Sequence, residues 1–127
     1  MTLPLFDLGG LNALARDLPK MGFAGARVMD ALLAEGAGDL RDAWKRNATA
    51  TAGQHGKHYP DSIESHRLLS TSIVYEIGPN PDKPQGGMSF ENGSVNQPAH
   101  HDGKKAADEI VPRLTRRIES ALGHLGL

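Results

Sequence analysis

The chain contains no cysteine, which excludes disulfides, thiolate nucleophiles and cysteine-based zinc sites. Aromatic residues are scarce: one Trp, two Tyr and three Phe among 127 residues. Aromatic rings supply the largest buried areas, so the expectation is a lightly packed monomer whose burial is completed by partner subunits. Excess charge of either sign is missing, with 14 Lys+Arg against 15 Asp+Glu. A protein whose main work is gripping nucleic acid needs surplus cations to displace counterions from phosphate. No run approaches the ~20 apolar residues that cross a bilayer. Met1–Gly10 lacks the basic and apolar regions of a secretory signal. These absences lead us to expect a soluble, single-domain protein without membrane contact.

Amphipathic helices dominate what is present. Leu11, Leu14, Ala15 and Leu18 keep helical spacing and suggest a short helix within residues 1–18. Pro19 then suits the first turn of a second helix. Met29, Leu33, Ala37, Leu40, Trp44 and Ala48 form one apolar stripe, which predicts a long helix over 19–50. Gly36 and Gly38 interrupt it and cost about 1 kcal/mol each relative to Ala. The unbroken stripe favours one helix through both. Thirty helical residues span about 45 Å, against ~36 Å for a compact domain of this size. Such a helix protrudes or lies along a neighbour, and either points to an assembly.

The middle of the chain reads as a small sheet among loops. Ser62–His66 and the period-two run Ser72–Ile77 predict an antiparallel hairpin over 61–78, turning near Arg67–Ser70. Pro79, Pro81, Pro84, Gly86 and Gly87 mark irregular loop, within a loop region over 79–102. Met88–Glu91 reads as a strand or one helical turn. Ala107, Ile110, Val111, Leu114, Ile118, Ala121, Leu122 and Leu125 predict an amphipathic helix over 103–125. Asp102 is its expected cap, and Pro112 an expected kink or restart. The fold class is therefore α+β, with a long N-terminal helix and a C-terminal amphipathic helix on a small antiparallel sheet.

Motifs for chemistry are weak. Among the six histidines, His55 and His58 are three apart and His100–His101 adjacent, but no zinc-ligand pattern completes either pair. Ser62, Ser65, Ser70 and His66 are close in sequence, yet no Gly-x-Ser-x-Gly elbow exists for a hydrolase. Gly86–Gly87 lacks the flanking strand and helix of a phosphate loop. Arg113, Arg116 and Arg117 read as a solvated helix face diluted by Asp108, Glu109 and Glu119. No catalytic residue, cofactor or metal is expected. A non-catalytic cytoplasmic interaction module or small regulator accounts for these features; a His/Ser hydrolase is a remoter alternative.

Several segments, in order, carry a family likeness. They are Asp42-Ala43-Trp44-Lys45-Arg46-Asn47-Ala48, His55 to Pro60 as His-x-x-His-Tyr-Pro, and Glu76-Ile77-Gly78-Pro79. Lys83-Pro84-Gln85-Gly86, Phe90 to His100, and Asp102-Gly103 before the last helix follow. In this wording the chain resembles the small neck or tail-completion proteins that join head to tail in long-tailed phages, in particular their actinophage-like members. The resemblance implies a virion structural protein, synthesised in the host cytoplasm and assembled as a homo-oligomeric ring at the head–tail junction. Implied partners are neck proteins on the portal side and the tail-tube or terminator protein, with non-specific DNA contact in the channel. The loops over 54–60 and 78–98 are expected to reach neighbouring rings. His55, His58, Tyr59, Pro60, Pro84, Phe90, Glu91, Asn92 and Val95 are the expected contact residues.

Overall fold

The computed structural model describes residues 22–54, 56–68, 73–83, 88–95 and 98–124. The short helix expected over 1–18 lies outside them. Helix α1 spans Gly22–Ala52 without a break. A single turn, α2, spans Tyr59–Ser62, followed by strands β1 (Ile63–Arg67) and β2 (Tyr75–Pro79). A second turn, α3 (Ser89–Asn92), precedes the C-terminal helix α4 (Asp102–His124). The architecture is α+β: two long helices and a two-stranded antiparallel sheet.

The stripe on α1 is its buried face. Met29, Ala37, Leu40, Trp44 and Ala48 are buried, and Leu33 is partly so. Gly36 does not break the helix because α4 needs it there. A Cβ at Gly36 would sit 2.5 Å from the Leu114 side chain, so the missing side chain allows the helices to approach. Gly38 has no comparable neighbour: the nearest atom to its Cβ position is an Arg41 nitrogen at 3.6 Å.

The two long helices run antiparallel. The end of α1 packs on the start of α4 in a cluster of Trp44, Ala48, Ala106, Ala107 and Ile110, which also takes Tyr59, Ile63 and Phe90. The start of α1 meets the end of α4 in a second cluster of Met29, Leu114, Ile118 and Leu122. The long helix is thus packed on its own chain from Met29 to Ala52, which corrects the expectation that it must protrude or lie along a neighbouring subunit. It runs ~46 Å at 1.5 Å per residue.

Pro112 causes no restart. The helix continues from Asp102 to His124, and the proline faces solvent. The missing donor and the ring clash fall on the outer side, away from the packed face.

The strands pair with Ser65 opposite Ile77 and Arg67 opposite Tyr75. One face lies on α1: Ile63 is buried, Arg41 donates to the Ser65 hydroxyl, and Tyr75 and Arg67 both bond Asp30. Glu64, His66 and Glu76 occupy the other face. Regular strand begins at Tyr75, later than the expected run from Ser72, although the bond from Leu68 N–H to Val74 C=O extends the ladder.

Candidate functional site

Trp44, Tyr59, Phe90, Glu91, His100 and Gly103 converge where α1 ends and α4 begins. Trp44 is the hub. Its indole N–H donates to the Tyr59 hydroxyl at 3.2 Å, both groups buried. The Tyr59 ring stacks on Phe90, with centroids 4.7 Å apart and planes 25° apart. Phe90 in turn meets the His100 ring at 5.7 Å. Burial pushes the Tyr59 phenol up to about 12, beyond what the Trp44 hydrogen bond takes back, and the nearby Glu91 and Asp102 charges add to the rise. Tyr59 is a neutral, structural phenol over the ordinary pH range.

Two carboxylates are buried at the same junction. Glu91 is 2% exposed, and its oxygens accept from the N–H groups of Gly103 at 2.8 Å and Lys104 at 3.0 Å. These are free donors of the first turn of α4, and an anion there also complements the helix dipole. Glu91, brought by α3, is therefore the cap. The expectation that Asp102 caps its own helix is corrected: its carboxylate turns back to accept from the Thr51 hydroxyl at 2.7 Å. The Asn47 amide holds the Asp102 carbonyl at 3.1 Å.

The backbone closes the same junction. His100 N–H donates to Phe90 C=O and His101 N–H to Glu91 C=O. His101 adopts a positive φ of 56° to make the turn into α4. His100 Nδ1 lies 3.7 Å from Asp102 Oδ2, beyond hydrogen-bond range. His100 Nδ1 and Asp102 Oδ1 are buried without hydrogen-bond partners. Among the described residues, no group of three or more His, Asp or Glu side chains is placed to hold a metal ion.

Several expected contact residues belong to this interior. Tyr59, Phe90 and Glu91 are buried, so in this chain they hold loops onto the core and are not surface. Gly56, in the first loop, is also buried: a Cβ there would lie 2.6 Å from the Phe90 ring. The expectation that this loop reaches outward is corrected at Gly56 and Tyr59. Pro60 is half-buried, and its carbonyl accepts from Lys45 at 3.3 Å. His58, Asn92 and Val95 face solvent. His55 and Pro84 lie outside the described residues.

A second feature is a cleft of about 300 Å³ between α1 and α4, over Gly36, Ile110 and Leu114. Its rim alternates in sign. Arg46 pairs with Glu109 at 2.8 Å, and Arg113 lies 3.7 Å from the same carboxylate. Arg117 pairs with Glu35 at 2.8 Å; this hydrogen bond and charge hold Glu35 below the usual carboxylate range and raise Arg117. The cations are neutralised within the chain, so the cleft has no surplus charge to attract a phosphate.

Among the described residues no helix is long and apolar enough to cross a membrane. No known protein family, curated protein or solved structure matches the chain.

Proposed function

We propose that this protein is a non-catalytic structural subunit of the phage head–tail junction, assembling as a ring between the portal complex and the tail tube. The observation that carries the reading is where the family-like wording falls in space. Trp44, Tyr59, Phe90, Glu91, His100 and Gly103 come from four separated segments and meet in one junction.

The shape supports the same reading. Helix α1 is longer than the ~36 Å expected across a compact domain of this length. A rod backed by α4 gives each subunit an extended side for its neighbours. The sheet has two strands among the described residues, so each has an edge without a strand partner there. Beside the buried Phe90 and Glu91, the exposed Asn92 and Val95 are open to contact with a ring above or below.

Quantitative mass spectrometry of purified particles of the phage that encodes the chain tests the proposal. A ring-like copy number close to that of the portal protein is the expected result. Absence from particles, with abundance in infected cells, rejects it in favour of a cytoplasmic assembly factor or regulator.

A further inference from the structure

Asn92 ends the turn α3 and is followed by Gly93. Of the five asparagines in the chain, it alone precedes a glycine. An asparagine carries an electrophilic amide carbon, Cγ, within reach of the backbone nitrogen of the next residue. A side chain on that next residue crowds the approach; glycine has none and rotates freely. Asn92 is exposed, so water and hydroxide reach its amide, and Gly93 turns the chain with a φ of 82°.

The other asparagines are poorer substrates for the same chemistry. Asn80 precedes Pro81, whose nitrogen has no hydrogen to lose. Its side chain is also tied to Glu64 and to the Asp82 N–H. Asn47 lies inside α1, precedes Ala48, and donates its amide to the Asp102 carbonyl. Asn12 and Asn96 precede Ala13 and Gln97.

We propose that Asn92 is a site of spontaneous deamidation, and that its conversion to isoaspartate loosens the start of α4. The Gly93 nitrogen attacks Asn92 Cγ. The N–Cγ bond forms, the bond from Cγ to the amide nitrogen breaks, and ammonia leaves with the proton of the Gly93 N–H. The product is a succinimide. Water then adds to one of its carbonyls and breaks that carbonyl's bond to the Gly93 nitrogen. Opening at Cγ gives ordinary aspartate. Opening at the Asn92 main-chain carbonyl leaves the chain running through Cγ, an isoaspartate with an extra backbone carbon. In sum, amide and water become carboxylate and ammonium, with no oxidant or reductant.

The extra carbon falls between two anchored points. On one side, the carbonyls of Phe90 and Glu91 accept from His100 and His101, and the Glu91 carboxylate holds the N–H groups of Gly103 and Lys104. On the other, Gly93 packs against Ala99: a Cβ on Gly93 would stand 3.0 Å from the Ala99 nitrogen. A longer link changes the spacing between these anchors, and movement on the Glu91 side exposes the first-turn donors of α4.

Peptide mass mapping of the purified chain after incubation in mildly alkaline buffer tests the proposal. The expected result is an amide-to-acid mass change confined to the peptide that holds Asn92, with fragmentation showing isoaspartate. Asn92→Gln, whose longer side chain closes the ring far more slowly, should abolish it. The modified fraction, separated by anion exchange through its added negative charge, should exchange the Gly103 and Lys104 amide hydrogens severalfold faster than the unmodified chain. An Asn92 that survives in the native chain while the urea-unfolded chain is modified would overturn the site, because the turn then keeps the Gly93 nitrogen from Cγ. A modified chain with unchanged exchange at Gly103 and Lys104 would overturn the link to α4. Both results stand apart from what is found in phage particles.

Discussion

Gly103 lies flat against the Trp44 indole, and a Cβ built on it would stand 2.8 Å from the ring. The only tryptophan of the chain thus fixes a glycine at the start of α4. Gly103→Ala must displace either the helix or a ring that also donates to Tyr59. Overpacking of this kind costs about 1–3 kcal/mol. Gly123, also in α4, has nothing within 4 Å of its Cβ position. Gly123→Ala should be neutral or stabilising by up to about 1 kcal/mol through helix propensity. Urea denaturation of both variants measures the contrast, and equal effects would disprove the Trp44 contact as its cause.

Glu91 supplies the cap that α4 lacks in its own sequence. Glu91→Ala leaves the N–H groups of Gly103 and Lys104 without acceptors, and should destabilise by about 1–3 kcal/mol. Glu91→Gln keeps one acceptor oxygen and should lose less. Hydrogen exchange at Gly103 and Lys104 separates this from general loosening: both amides should lose protection more than those of the α4 middle.

The elements were legible where periodicity was strong. The stripe from Met29 to Ala48 and that from Ala107 to Leu122 mark the buried faces of α1 and α4, because burial against one neighbour imposes a 3.6-residue period. The junction was not legible. Tyr59 and Phe90 were expected as partner contacts on the strength of the resemblance, and nothing local to them in sequence signals burial. What buries them is a tertiary partner, Trp44, distant in sequence from both. Likewise Asp102 has the composition of a cap, but Glu91 reaches the helix N–H groups first, and no local spacing reports that. Gly36 was read as a cost to α1; its reason, Leu114, lies on another helix.

Pro112 sits inside a helix that its sequence position should interrupt. The helix continues because packing at Ile110, Leu114 and Ile118 holds both sides of it. An interior proline costs about 3 kcal/mol relative to alanine, part of which is offset by its stiffening of the unfolded chain. Pro112→Ala should therefore stabilise by roughly 1–3 kcal/mol and raise the melting temperature. The residue is exposed and touches no core cluster, so no packing loss competes. An unchanged or lowered melting temperature would mean that Pro112 makes a contact which offsets its backbone cost.

The chain has two tyrosines, and each is held in its neutral form. Burial raises Tyr59 to about 12. The Tyr75 phenol donates to Asp30, whose hydrogen bond and charge raise it as well. An unfolded tyrosine ionises near pH 10. Between about pH 10 and 12 the unfolded chain therefore releases protons that the native chain retains, and stability must fall as pH rises through that window. Below it the contribution is fully present. Tyr59→Phe removes the Tyr59 share of this slope while leaving the Phe90 stack intact, at the cost of the acceptor for the Trp44 N–H. Absorbance titration of the native protein near 295 nm should show both phenols ionising late, with the jump coinciding with loss of the circular dichroism of the helices. A native tyrosine that ionises near pH 10 with the helices intact would contradict the buried Trp44–Tyr59 pair or the Tyr75–Asp30 bond, and repeating the titration on Tyr59→Phe would say which.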